Sequence, residues 1–445
     1  MKRLSLEHLA KVQEQVQAAL QQKNWSLLTQ YLQQWLISDE TVAGPEGTAM
    51  TSALGDPCDL AIAILTGGDF QARWDVAKLF PALGDRAIAP LIQLLQDKDA
   101  DLEARWFAGR ILSRYTYPTA IIALVDLLET TESEELSSMA ADALATVGTP
   151  ALTALTDLLA QAETRLPAVR ALAQIRHSDT IAPLLTVVND AQPTIRAIAI
   201  EALSSFHDPR VPPVLVQALA DTAAVVRCEA VVGLGMRPDL AEALNLVPLL
   251  TDRLHDINLT VCQKAAIALG RMQTDAAAAA LFHTLQAAPT PLMLRLDCVR
   301  ALGWMGSPIA LDYLHRALFQ LEPSAAFAPV DQEIVAVLGR WAAPDLKPQA
   351  AQALVDLLTL AHPGKANPAV RKAIAVGLGQ LAQKRALDPL MQLLADADDG
   401  VRLHAVAALK TLDRQAAHQR LKTLAASADV PDSLRQGVAI ALQEW

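Results

Sequence analysis

The sequence predicts an all-α chain, an αα superhelix of about twelve helical hairpins behind an N-terminal helical cap. Three observations lead there. At 445 residues the chain exceeds the ~250–300 residues at which one hydrophobic core stops growing, so it must divide or be modular. Hydrophobic residues make up 52% of it but aromatics only 4%, so its apolar content is mainly Ala, Leu, Val and Ile. Ala and Leu favour helix, and small side chains let helices approach closely. The third observation is an internal repeat, the first feature to test in such a chain.

The clearest unit, Asp190 to Leu203, reads DAQPTIRAIAIEAL, and it returns as DTAAVVRCEAVVGLG from Asp221 and as DADDGVRLHAVAAL from Asp396. With the Arg as anchor, twelve units align on Arg73, Arg105, Ser137, Arg165, Arg196, Arg227, Cys262, Arg295, Asp331, Arg371, Arg402 and Arg435. Their spacings run from 28 to 40 residues. Positions three, four, six and seven beyond the anchor are small or apolar throughout, which is the stripe of an amphipathic helix. An Asp precedes the anchor by six residues at Asp99, Asp190, Asp221, Asp256, Asp396 and Asp429. That place is the turn between two helices, where Asp accepts backbone N–H groups. The anchor Arg, one turn in, is expected to pair with the Asp of its own or a neighbouring unit. Asp99 with Arg105, Asp190 with Arg196, Asp221 with Arg227, Asp396 with Arg402 and Asp429 with Arg435 thus form a structural ladder, not a catalytic set.

Taken in order, residues 1–57 form an N-terminal cap and linker, with helices over about 5–21 and 24–37 and a Gly/Pro/Thr/Ser-rich stretch from about 39. Residues 58–445 form the solenoid. One hairpin cannot bury its stripe alone, so neighbours stack, and an unstacked end needs a cap. The region 318–370 is irregular: spacing stretches to 36 and 40 residues, and six of the 25 prolines fall there, which predicts longer loops.

The pattern D-x(4)-[VIL]-R-x-x-A-[AV]-x-A-L-G resembles the HEAT-like repeat of the phycobilisome lyase family of cyanobacteria, over about residues 68–445. The resemblance implies a HEAT-repeat solenoid. The family includes bilin lyase subunits and phycobilisome degradation factors. Similar repeats occur in a partner of an A-type iron–sulfur scaffold and in deoxyhypusine hydroxylase. The last holds two irons with His-Glu dipeptides, and none of the nine histidines here precedes a Glu.

Composition excludes several classes. A net charge of −11 and a pI near 5.3 lack the basic stripe of a nucleic-acid binder. Four cysteines form no disulfide framework. The N-terminus carries charges where a secretory signal needs an apolar stretch, and no run is apolar enough to insert in a membrane. A cytoplasmic protein is expected. There is no phosphate-binding glycine loop, no Gly-x-Ser-x-Gly and no His-Glu-x-x-His, so no catalytic residues and no cofactor are assigned.

Two groups of residues remain as candidate sites. Positions one, two and five after the anchor carry no stripe, and in the N-terminal half they hold Trp74, Trp106, Phe107, Arg110, Met139, Leu166, Arg170 and Ile198. Large apolar groups on a free concave face need a cover, either the N-terminal cap or a partner. Cys228 and Cys262, in successive units, are the candidate metal or cluster ligands, although one helix pair per unit holds their sulfurs apart. Ten of the eighteen aromatics lie between Trp25 and Tyr117 and six between Phe282 and Trp341, so there are two aromatic zones with a spacer between them. The expected function is a non-catalytic protein–protein scaffold binding its partner on the N-terminal concave face. The resemblance adds two alternatives: a bilin lyase or lyase subunit acting on a phycobiliprotein, with Arg110 and Arg170 on the bilin propionates, and a partner of an iron–sulfur scaffold.

Overall fold

The computed structural model describes residues 6–41, 56–320, 328–360, 362–427 and 429–445, and among these every regular element is helical. The chain groups into two compact units, Met1–Val211 and Pro212–Trp445. The first opens with the helices Leu6–Gln21 and Trp25–Thr41, close to the two expected. Leu28, Leu32 and Trp35 bury the inner side of the second, which packs on the helices Pro57–Gly67 and Phe70–Ala77. Gly67 makes that contact possible, because a Cβ there would collide with the indole of Trp25. Residues 42–55, most of the expected linker, lie outside the described residues.

Twelve anchors correspond to twelve second helices. In the N-terminal unit these are Phe70–Ala77, Leu102–Leu112, Glu134–Val147, Ala162–Gln174 and Pro193–Ser204. In the C-terminal unit they are Ala224–Gly235, Leu259–Met272, Leu292–Met305, Ala328–Gly339, Pro368–Leu381, the first part of Asp399–Ala426, and Asp432–Gln443. Asp413 leaves helical conformation, which divides Asp399–Ala426 in two. The position three past the anchor is 0% exposed in all twelve, from Val76 to Val438. The position seven past it is equally buried in eleven, from Phe80 to Leu409; Leu442, in the last unit, is half-buried. That is the signature of a stripe closed by stacking: within each unit the successive second helices pack on one another, with first helices beneath them. Where the chain turns back toward a first helix, Gly84 (φ 64°) and Gly148 (φ 78°) take backbone angles that side chains resist.

The ladder is present, with a defined direction. Three anchor arginines donate Nη1 to the backbone carbonyl of the Asp in their own turns: Arg196 to Asp190 O (2.8 Å), Arg227 to Asp221 O (2.8 Å) and Arg402 to Asp396 O (2.7 Å). Three anchors reach the carboxylate of the next unit. Arg165 meets Asp190 at 2.9 Å, Arg227 clasps Asp256 through two bonds of 2.7 and 2.6 Å, and Arg371 clasps Asp396 through two of 2.6 and 2.9 Å. The same carboxylates accept the N–H two residues on, at Gln192, Asn258 and Asp398, so the Asp fixes the turn, while Asn258 and Asp398 cap the two helices that follow them. One carboxyl group therefore ties the turn of one unit to the second helix of the unit before it.

Two expected rungs take other partners. The turn before Leu102–Leu112 is longer, so Asp97, not Asp99, accepts in it; Asp99 is exposed, and Arg105 donates Nε to Leu95 O at 3.0 Å. Arg73 meanwhile pairs with Asp101 at 2.5 Å and with Glu103. At the C-terminal end Asp429 is exposed, Arg402 turns to Asp399 of its own helix, and Arg435 reaches Asp432 at 3.1 Å. In the irregular region, residues 321–327 and 361 lie outside the described residues. Around them stand the helices Pro308–Gln320, Ala328–Gly339 and Lys347–Thr359 and the 3₁₀ turns Pro344–Leu346 and Pro363–Ala366.

Candidate functional site

The outer side of the N-terminal second helices is built outward from the anchor. Asp69 caps Phe70–Ala77 by accepting Ala72 N–H at 2.9 Å, and buried Arg73 donates Nε to Leu65 O at 3.0 Å. With Arg73 fixed on that side, the next residue turns about 100° round the helix, and Trp74 emerges 47% exposed. Phe70, one turn earlier, is 56% exposed and stacks on Trp74 with ring centres 6.2 Å apart. Trp106 repeats the slot on the next second helix, half-buried, and Phe107 ties the two sites together. Its ring packs edge-on against Phe70 at 5.6 Å and Trp106 at 5.3 Å. Cations cover part of each indole: Lys78 Nζ lies 5.7 Å from the Trp74 ring centre and the Arg110 guanidinium 5.3 Å from that of Trp106.

An open hollow of about 510 Å³ adjoins Trp106 and is lined by Arg110, Glu134, Glu135, Ser138, Met139 and Asp142. A second, of about 650 Å³, lies between the second cap helix and Phe70–Ala77, lined in part by Lys23, Trp25, Gln71, Asp75 and Lys78. The cap thus reaches the edge of the aromatic cluster and leaves Phe70 and Trp74 exposed.

The expected face divides in the structure. Trp74, Arg110 and Arg170 are exposed, and Trp106, Leu166 and Ile198 are half-buried. Phe107 and Met139 are each 2% exposed, so they belong to the core and not to the free surface. The cause lies on the preceding helix. Position two past the anchor faces it, and Met139 lies over Gly109, where a Cβ would strike its Sδ and Cε. Residues that the anchor rule missed complete the surface: Phe70, which precedes its anchor, and the carboxylates Glu134, Glu135 and Asp142. The i, i+4 spacings Phe70/Trp74, Trp74/Lys78 and Trp106/Arg110 carried that signal in the sequence.

Cys58, Cys262 and Cys298 are buried free thiols and Cys228 a half-buried one. Burial pushes the Cys58 thiol up to about 11, with Asp56 adding to it, and pushes Cys298 higher still. Burial also raises Cys228 and Cys262, which holds both as neutral thiols at neutral pH, away from the thiolate that ligates metal. Cys262 Sγ donates to Asp256 O at 3.1 Å, in the place where other anchors put an Arg Nη1. Among the described residues no three His, Cys, Asp or Glu side chains are grouped to hold a metal ion. No helix among them is long and apolar enough to cross a membrane.

Comparison with known proteins follows this geometry. The family model described as HEAT repeats matches residues 59–145, 88–166, 152–235 and 355–443, and the one described as PBS lyase HEAT-like repeat matches residues 294–320. No curated protein sequence matches. Among solved structures, the chain is similar to Kap95p, whose binding induces the switch loops of RanGDP to adopt the GTP-bound conformation. Identity is 14% and the TM-score 0.52, over 99% of this chain and 64% of that one. It is similar to importin beta in an ammonium sulfate condition at 13% identity and TM-score 0.52, over 96% of this chain and 63% of that one. The chain therefore spans less than two thirds of either neighbour, and at these identities the likeness is one of fold.

Proposed function

The chain belongs to the HEAT-repeat family, and from that premise we propose that it is a non-catalytic scaffold holding a protein partner on the second-helix face of its N-terminal unit. One observation carries the proposal. Phe70, Trp74 and Trp106 stand together on two adjacent helices, and the first two are about half exposed although the cap lies beside them. A rigid aromatic cluster of this kind is the usual centre of an interface, and truncating such an anchor removes about 2 kcal/mol or more of binding. The partner is expected to bring apolar groups to the indoles and basic groups to Glu134, Glu135 and Asp142 around the adjoining hollow.

The test is affinity capture from a lysate of the source organism with wild-type chain and with Trp74→Ala/Trp106→Ala. Loss of the captured protein by about 30-fold or more, with unchanged helicity by circular dichroism, is the expected result. Equal capture by both chains refutes the assignment of this face.

A narrower version has a phycobiliprotein as partner. It is supported by the match of residues 294–320 to the PBS lyase HEAT-like repeat and by the exposed Arg110 and Arg170, whose guanidinium groups suit bilin propionates. Incubation with an apo-phycobiliprotein and phycocyanobilin tests it, and no coloured adduct above the spontaneous rate removes lyase activity on that substrate.

A further inference from the structure

The second aromatic zone of the sequence folds into a surface that the N-terminal reading does not use. In the C-terminal unit the second helices Ala224–Gly235, Leu259–Met272, Leu292–Met305 and Ala328–Gly339 pack each on the next. Nine residues past each anchor, at their C-terminal ends, stand Met236, Arg271, Trp304 and Arg340, all exposed. Met236 is 60% exposed and Trp304 63%, more than either tryptophan of the N-terminal cluster. The column therefore alternates apolar and cationic groups along four successive helices.

The two arginines are available. Arg271 donates to Met236 Sδ at 2.9 Å and Arg340 Nε to Ala336 O at 3.1 Å, and among the described residues neither guanidinium meets a carboxylate. Arg300, which lines the same open groove of about 590 Å³ with Trp304, Glu333 and Arg340, is by contrast committed to Glu333 at 2.9 Å and Asp297 at 3.3 Å. Cations at helix C-terminal ends complement the helix dipole, which accounts for the arginines alone. It leaves unexplained why Trp304 and Met236 stand exposed beside them, at a cost unless something covers them. In a chain of net charge −11, free guanidinium forks beside bare apolar groups are locally complementary to carboxylates set among apolar residues.

Spacing sets the form of the occupant. Neighbouring helices lie roughly 8–10 Å apart, and an extended polyproline II segment rises about 3.1 Å per residue with three residues per turn, so one helix step matches three residues and brings the side chain back to the same side. We propose that this column binds an extended peptide segment of a protein partner in which apolar and acidic residues alternate at every third position. An apolar residue lies on Met236, the acid three further on takes Arg271, an apolar residue follows on Trp304, and a second acid takes Arg340. The site shares no residue with the N-terminal face, since all its residues belong to the other unit.

The experiment is a selection of random twelve-residue peptides displayed on phage, with the full-length chain carrying Trp74→Ala/Trp106→Ala as bait so that the N-terminal face contributes nothing. The strongest peptide is then measured by fluorescence anisotropy. Enrichment of Asp or Glu three residues from an apolar residue is expected. Trp304→Ala and Arg340→Glu should each weaken binding by about tenfold or more, and a Lys in place of the peptide's acid should restore binding to Arg340→Glu. Trp304 and Arg340 are exposed, and circular dichroism of every variant checks that the fold is kept. Selection that enriches no such spacing, or a selected peptide bound equally by Trp304→Ala and Arg340→Glu, overturns the proposal. So does a single-stranded oligothymidylate that binds with the same arginine dependence and more tightly than the peptide, which would assign the column to phosphate.

Discussion

Removing the Asp256 carboxylate tests whether the ladder holds the C-terminal unit together. Asp256 and Arg227 have side chains only 4% and 9% exposed, and two bonds of 2.6 and 2.7 Å join them. Asp256→Ala leaves a buried guanidinium without its counter-charge, a loss of about 3–5 kcal/mol. It also orphans the Asn258 N–H, which the carboxylate accepts at 2.9 Å. Asp256→Asn keeps that acceptor and should recover about 1 kcal/mol of the loss. In a stack of repeats the damage is local, so global unfolding is the wrong readout. Hydrogen exchange resolved by mass spectrometry should show protection in Ala224–Gly235 and Leu259–Met272 falling by two to three orders of magnitude, at about 1.4 kcal/mol per decade, with the N-terminal unit unchanged. The pH dependence has a fixed sign. Arg227 holds the Asp256 carboxyl below its ordinary value of 3.8. The native pair is therefore complete above that value and is lost as pH falls through the lower, folded one. The gap between wild type and Asp256→Ala must narrow in that acid window. Exchange within tenfold of wild type at neutral pH, or a loss spread evenly over both units, would refute a rung-by-rung ladder.

Two smaller perturbations test packing. Gly339 and Gly377 meet where their helices cross, with a Cβ on Gly339 coming 2.5 Å from Gly377 Cα. Gly339→Val should therefore cost about 1–3 kcal/mol through overpacking and lower the melting temperature. Tyr115 donates its hydroxyl to Phe80 O at 2.9 Å, and burial pushes its pKa up to about 12. Absorbance at 295 nm should retain a tyrosine that ionises only as the chain unfolds in alkali. Tyr115→Phe should remove that late step at a cost of about 1 kcal/mol.

The repeat was legible because burial recurs at fixed steps from the anchor: all twelve positions three residues past it are closed. What the sequence carried poorly was the identity of neighbours. The Asp–Arg pattern left the partner's unit open, and the choice of the next unit depends on the step between helices, which spacing along one chain does not encode. Phe107 and Met139 looked free by the same rule that placed Trp74 and Trp106 outside. Met139 is buried because Gly109, on another helix, leaves room for it. The acidic side of the Trp106 hollow was illegible for a related reason, since Glu134 and Asp142 acquire meaning only beside a ring on a different repeat.

One place where the ladder is interrupted supplies a last prediction. At Cys262 the anchor is a thiol, and Pro289, six before Arg295, stands where a rung would need an Asp. Both members of the rung are absent, and between them lies an open cavity of about 270 Å³ whose lining includes Cys262, Ile257, Thr290 and Pro291. Arg295 meanwhile spends its guanidinium on the carbonyls of Ala287, Ala288 and Thr290 at 2.9–3.1 Å. Burial lowers its pKa. Cys262→Arg alone should gain the Asp256 carbonyl but leave a guanidinium with no counter-charge. Pro289→Asp alone should loosen the turn by up to about 1 kcal/mol and set a carboxylate where Arg295 can use it only in part. Together the two rebuild the bond that joins Arg227 to Asp256 one unit earlier, so their effects must couple favourably, by about 1–3 kcal/mol. Hydrogen exchange of Leu259–Met272 and Leu292–Met305 in both single variants and the double one measures that coupling. Strict additivity would mean that the turn before Arg295 is not held as the turn before Cys262 is, and that the missing rung follows from the backbone and not from the two side chains.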